Sequence, residues 1–153
     1  VAFPEIKEDI NLQYGKGQIL KEGSKDGNNA GGNVAIIAVG SMVEETYKAI
    51  DMLEKENVHP AFVNPVFIKP MDTELIKRVA ENHKHIIVVE EGIKKGGFGE
   101  SVETFILESG IDADVQVMAI DDRFVEQGNV ALLREEIGIS YKNIYEKVME
   151  LTR

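Results

Sequence analysis

Hydrophobic and polar positions follow two rhythms along this chain. From residue 34 onward, unbroken apolar runs of strand length alternate with stretches in which apolar residues recur every three or four positions. Residues 34–39 (VAIIAV) are the first such run, rich in β-branched side chains. A run with no polar side suits a strand buried on both faces of a parallel sheet. Ser41 with Glu44 three residues on predicts a capping box, opening a helix that carries Val43, Tyr47, Ile50 and Leu53 and stops at Asn57. Residues 61–63 predict a short strand, and Asp72 caps a helix that turns Leu75, Ile76, Val79 and Ala80 inward. Residues 85–89 (HIIVV) predict another buried strand. A glycine turn leads from it to a helix with Phe98, Val102, Phe105 and Ile106 on one face, ended by Gly110. A strand over 115–120 follows, then a helix over about 130–137 with Gly138 behind it. The last helix carries Tyr141, Ile144, Tyr145, Val148 and Leu151.

Strands alternating with helices predict βαβ units with right-handed crossovers, and hence an α/β fold covered on both faces. Residues 34–153 read as one domain with no internal repeat. Residues 1–33 read as a linker with one short apolar stretch, Gln18-Ile19-Leu20, and a polar loop over 22–33 (EGSKDGNNAGGN) expected to be mobile. No crossover helix separates Ile19 from Val34, so that stretch can pair antiparallel at the sheet edge.

Composition narrows the function classes. The chain has 153 residues, 17 basic against 27 acidic, for a net charge of -10, which makes nucleic acid a poor partner. No apolar run approaches the roughly 20 residues a membrane span requires, and the opening residues lack the pattern of a secretory signal. Absence of cysteine removes disulfides and thiolate chemistry and fits a cytoplasmic setting. The first residue is Val1 and the opening resembles a linker, so the chain is expected to be a fragment.

The segment 88–101 (VVEEGIKKGGFGES) carries the most local information. It puts Glu90 and Glu91 at the carboxyl end of a strand and Gly96, Gly97 and Gly99 at a helix start. Ligand sites of open α/β sheets lie at such ends, and glycines let backbone N–H groups approach an anion. The pattern is neither a full GxGxxG nor a P-loop, and the residues favour a tight connection without ligand. Glu90 and Glu91 are candidates for acid–base work, with a structural or interface role favoured. Arg123, in DDRFVEQG (121–128), can clamp an anion or make internal ion pairs. Asp26-Gly27-Asn28-Asn29 reads as a flexible turn. His59, His83 and His85 have no metal-ligand spacing, and no GxSxG elbow occurs. No catalytic residue, metal site or cofactor-binding residue is assigned within the chain.

Five phrases, in this order, resemble the C-terminal domain of the 1-deoxy-D-xylulose-5-phosphate synthases, a branch of the transketolase superfamily. They are GKGQILKEG (15–23), VAIIAVGSMVEE (34–45), FIKPMD (67–72), VVEEGIKKGGFGESV (88–102) and DDRFVEQG (121–128). The resemblance runs from Gly15 onward, and the DRFVEQG and GKG phrases carry it from superfamily to branch. It implies a three-layer α/β/α sandwich with a mainly parallel five-stranded mixed sheet and one antiparallel edge strand. It also implies a parent enzyme that joins pyruvate to glyceraldehyde 3-phosphate with loss of carbon dioxide, using thiamine diphosphate and Mg2+. The groups doing that chemistry belong to upstream parts, so this domain is expected to pack on the rest of its polypeptide and help build a homodimer. Three departures stand out: Val66 where the family has Arg, Ile120-Asp121 where it often has Leu-Pro, and a longer 22–33 loop. Alternatives are a 2-oxo-acid dehydrogenase β subunit or transketolase, and a regulatory anion or nucleotide site at Gly96–Gly99.

Overall fold

The unbroken apolar runs form the inner strands of a sheet. The computed structural model of the chain describes residues 12–24, 31–121 and 128–153. Its elements in chain order are β1 (Gln18–Lys21), β2 (Val34–Ala38), α1 (Met42–Lys55), β3 (Ala61–Asn64), α2 (Thr73–Asn82), β4 (His85–Ile93), α3 (Phe98–Glu108), β5 (Asp114–Ile120), α4 (Val130–Ile137) and α5 (Tyr141–Leu151). The sheet order is β1-β3-β2-β4-β5, all parallel except β1, which runs antiparallel to β3 with Gln18 opposite Asn64. The antiparallel edge strand is thus where the missing crossover predicted it.

Successive residues of β2 point to opposite faces and so feed two cores. Val34, Ile36 and Ala38 pack with Ile50 and Leu53 of α1 and Ile144 and Val148 of α5. Ala35 and Ile37 pack with Leu75, Ile76 and Val79 of α2 and Val102 and Ile106 of α3. These groups are all at least nine-tenths buried, and each large aliphatic side chain contributes about 2 kcal/mol by leaving water. The result is three layers, α/β/α. Because α1 leads from β2 towards one edge and α3 leads from β4 towards the other, the chain reverses direction between β2 and β4. The crevice at their carboxyl ends is where such folds usually seat a ligand.

Three local expectations change. Ser41 does not cap α1: it is already helical at φ −61°, ψ −20°, and its side chain makes no capping bond. A capping residue needs extended backbone to aim its oxygen at the first turn; here Met42 and Val43 N–H groups are taken by the carbonyls of Val39 and Gly40. The capping box occurs instead at α5, between Ser140 and Asn143. The buried face of α1 is also rotated: Met42, Glu45, Thr46 and Ala49 join Ile50 and Leu53, while Val43 and Tyr47 are only partly covered. Finally, β4 runs to Ile93 rather than Val89, with an irregularity against β5 after Val89. Asn57 stops α1 as expected, in the left-handed region at φ 58°.

Asp72 shows how the linker is fixed. One carboxylate oxygen accepts from Leu75 N at 3.1 Å, capping α2, and the other accepts from Gly17 N at 2.9 Å, just before β1. Asp72→Ala removes both bonds to a nearly buried group, so it is expected to lower unfolding stability by about 2 kcal/mol in urea titration.

Candidate functional site

Near its carboxyl end strand β4 carries two adjacent carboxylates that face opposite ways. Glu90 is buried. Its carboxylate turns into the start of α3, where Phe98 N donates at 3.2 Å and Gly99 N donates to the second oxygen. The first N–H groups of a helix have no partner within it and carry partial positive charge. A buried carboxylate there is compensated by position. The glycines of this turn are explained by the same seat. A methyl group on Gly97 would lie 2.3 Å from Glu90 Oε1, and one on Gly99 would lie 2.4 Å from Val117 Cγ1 and 3.0 Å from Glu90 Oε2. Gly96, at φ 73°, makes the left-handed turn itself, and its N–H donates to Glu100 at 2.8 Å. The helix start therefore already holds an anion supplied by the chain.

Glu91 faces the crevice between β2 and β4. Arg134 of α4 grips it with a two-pronged fork, Nε to Oε1 and Nη2 to Oε2, both at 3.1 Å. Ser41 Oγ, at the end of β2, donates to the same carboxylate. Arg134 is mostly covered, and its Nη1 also reaches Glu45 Oε1 at 3.5 Å. Glu45, buried on α1, accepts from Tyr141 N of α5 at 2.8 Å and from Lys48 at 3.0 Å. Ser41, Glu45, Glu91 and Arg134 thus join β2, α1, β4, α4 and α5 across the crevice. The guanidinium fork holds the Glu91 carboxyl below the ordinary carboxylate range, with Ser41 adding to the effect against partial burial.

Of the residues singled out from sequence, Glu90, Gly96, Gly97 and Gly99 come together in one turn, and Glu91 stands apart on the other face. Arg123 and the Asp26–Asn29 turn lie outside the described residues, as do residues 25–30 of the 22–33 loop. Asp121 is exposed. Val66 sits at φ 60°, rare for a β-branched residue, with its N–H held by Asn64 Oδ1 at 2.9 Å. His83 bonds the Val79 carbonyl at 2.8 Å and His85 faces Asp114 at 3.4 Å. Among the described residues no group of three or more His, Asp or Glu is placed to hold a metal ion, and no helix is long and apolar enough to cross a membrane. Sequence reasoning missed Arg134 and Glu45. A signal existed for Glu45, which shares the helical face of Met42, Ala49 and Leu53; none existed for Arg134, one charge in a solvent-facing run.

Residues 19–144 match the family model "Transketolase, C-terminal domain". The chain is 37% identical over 143 residues to a 1-deoxy-D-xylulose-5-phosphate synthase of Dehalococcoides mccartyi, covering 92% of this chain and 21% of that protein. It is 37% identical over 150 residues to the protein of the same name from Brevibacillus brevis, covering 95% and 23%. It therefore spans about a fifth of the length of these relatives. Among solved structures, a split gene transketolase described as an inactive beta4 tetramer superposes with a TM-score of 0.82 at 28% identity, covering 98% of this chain and 48% of the other. A 2-oxoglutarate:ferredoxin oxidoreductase from Magnetococcus marinus shares the fold, with a TM-score of 0.57 at 18% identity, over 92% and 20% of the two chains.

Two outcomes follow from this geometry. Glu90→Ala strands the Phe98 and Gly99 N–H groups in a dry site and is expected to cost about 3 kcal/mol in chemical denaturation. Arg134→Met keeps the stem but removes the fork, and is expected to cost about 1–2 kcal/mol at neutral pH once the exposure of Glu91 is allowed for. Since Glu91 has a lower pKa folded than unfolded, its contribution is complete above the ordinary carboxylate range and is lost as pH falls through the folded value. The wild-type and Arg134→Met urea midpoints should therefore converge as pH is lowered into that window.

Proposed function

The chain belongs to the transketolase C-terminal domain family, and on that premise we propose that it is the C-terminal domain of a 1-deoxy-D-xylulose-5-phosphate synthase. The observation that carries this reading is the continuous similarity of nearly the whole chain to enzymes of that name. The parent enzyme condenses pyruvate with glyceraldehyde 3-phosphate, releasing carbon dioxide, as a transketolase-type transferase working as a cytoplasmic homodimer. Bound thiamine diphosphate supplies the nucleophile and stabilises the carbanion in such enzymes.

The described residues do not fit that cofactor. The glycine-rich start of α3 is filled by the Glu90 carboxylate, which would repel a second anion, and among the described residues no group of three or more His, Asp or Glu is placed to hold a metal ion. The role we propose for this domain is architectural: a three-layer body on which other parts of the same polypeptide pack. The same carboxylate argues against a regulatory phosphate or nucleotide site at Gly96–Gly99. A transketolase proper is the second reading, favoured by the split-gene similarity over 98% of the chain.

The 153-residue chain, supplied with thiamine diphosphate, Mg2+, pyruvate and glyceraldehyde 3-phosphate, is expected to form no product. Measurable carbon dioxide release above a no-protein control would overturn the architectural role. Sequencing the reading frame upstream of Val1 tests the parent: a diphosphate-binding motif in the same frame supports the synthase, and an immediate start codon removes it.

A further inference from the structure

Residues 12–17, which lead into β1, lie across the loop that leaves β3, and their contacts fall on both sides of one strained residue. Val66 sits at φ 60° between Pro65 and Phe67, and Phe67 N donates to the Pro65 carbonyl at 2.6 Å. A three-residue turn closed over a positive φ is the rare and strained form, more so with a β-branched residue at its centre. Asn64 Oδ1 steadies it from within, accepting from Val66 N at 2.9 Å. The rest of its support comes from the segment above. On one side a methyl group on Gly17 would lie 3.0 Å from the Asn64 carbonyl oxygen, 3.1 Å from Pro65 Cα and 2.6 Å from Leu75 Cδ2. On the other side the Tyr14 ring packs edge-on against Phe67 at 5.5 Å, and a methyl group on Gly15 would lie 3.2 Å from the Pro70 ring. The bond from Gly17 N to Asp72 at 2.9 Å and the Lys16–Glu74 pair at 2.8 Å tie the same segment to the start of α2.

Burial does little to secure this segment. None of residues 12–17 is buried, and Tyr14 is 81% exposed, whereas all of β2 and the first three residues of β3 are buried. Segments held by exposed hydrogen bonds and few buried groups open locally while core strands stay closed. Backbone strain persists only where the surroundings enforce it, and the residues that flank Val66 on both sides are the ones this segment touches. We propose that residues 12–17 and the Val66 turn form a latch. Closed, the segment holds Val66 in its strained turn; released, it lets the turn relax, so both open together while the sheet stays folded. The strain at Val66 favours the open form, and the bonds to Asp72 and Glu74 favour the closed one. Opening bares the Phe67 ring, Pro70 and Leu75 beside the carboxyl end of β3.

Amide hydrogen exchange of the 153-residue chain, read by NMR, tests the coupling in both directions. Lys16→Glu sets a carboxylate against Glu74 at an exposed position away from Val66. It is expected to lower the protection of the Val66 and Phe67 amides about threefold, the scale of an exposed ion pair lost, and to leave Ile36 and Ile37 of β2 unchanged. Val66→Asn adopts a positive φ more readily and is expected to raise the protection of the Gly17 amide about tenfold, as relief of such strain allows. A Lys16→Glu effect that reaches Gly17 but not Phe67 overturns the latch, as does a Gly17 amide left unchanged or less protected by Val66→Asn. Equal protection of Gly17, Phe67 and Ile36 in the unaltered chain also overturns it, because the segment then opens only with the whole domain.

Discussion

The carboxylate of Glu90, buried near the carboxyl end of a central strand, is the constraint around which this end of the domain is built. A charge in that position is tolerable only if donors surround it, and the chain supplies them as the first N–H groups of α3. That requirement sets the sequence that follows. Gly97 and Gly99 are small because the carboxylate and Val117 occupy the space where a side chain would begin, and Gly96 supplies the left-handed turn. A motif that resembles a phosphate cradle in sequence is, in the folded chain, a cradle for the protein's own anion.

The neighbouring carboxylate works in the opposite direction. Glu91 projects into the crevice between β2 and β4 and meets Arg134 and Ser41 there. Helix α4 has no fully buried residue, and its Ile137 packs against the core only partly covered. The Arg134 fork to Glu91 and the contact to Glu45 add to that attachment, and Glu45 extends it to the start of α5. Ion pairs in partly covered positions add modest stability, but they are directional and fix where α4 lies. The crevice that open α/β sheets offer to ligands is spanned here by structural bonds.

Both carboxylates thus turn the reactive end of the fold to structural use. A domain whose usual ligand position is filled by its own side chains is braced at that end by hydrogen bonds and ion pairs. This agrees with membership of the transketolase C-terminal domain family and with a length about a fifth of that of its relatives.

The sequence by itself determined the strand and helix order, the antiparallel edge strand, and the inward faces of α2, α3 and α5, because apolar periodicity reports local geometry and which side must leave water. It determined Asp72 as a cap for the same reason: a cap acts within three residues. It did not determine what Ser41 bonds, because choosing between its own helix and Glu91 requires knowing that β2 and β4 end side by side. Nor did it reveal that Glu90 seats α3 while Glu91 meets Arg134, 43 residues away. The sequence marks charges without saying which of them meet. Only the tertiary structure decided that, by bringing strand ends and distant helices within hydrogen-bonding reach, where the burial of Glu90 makes its pairing obligatory.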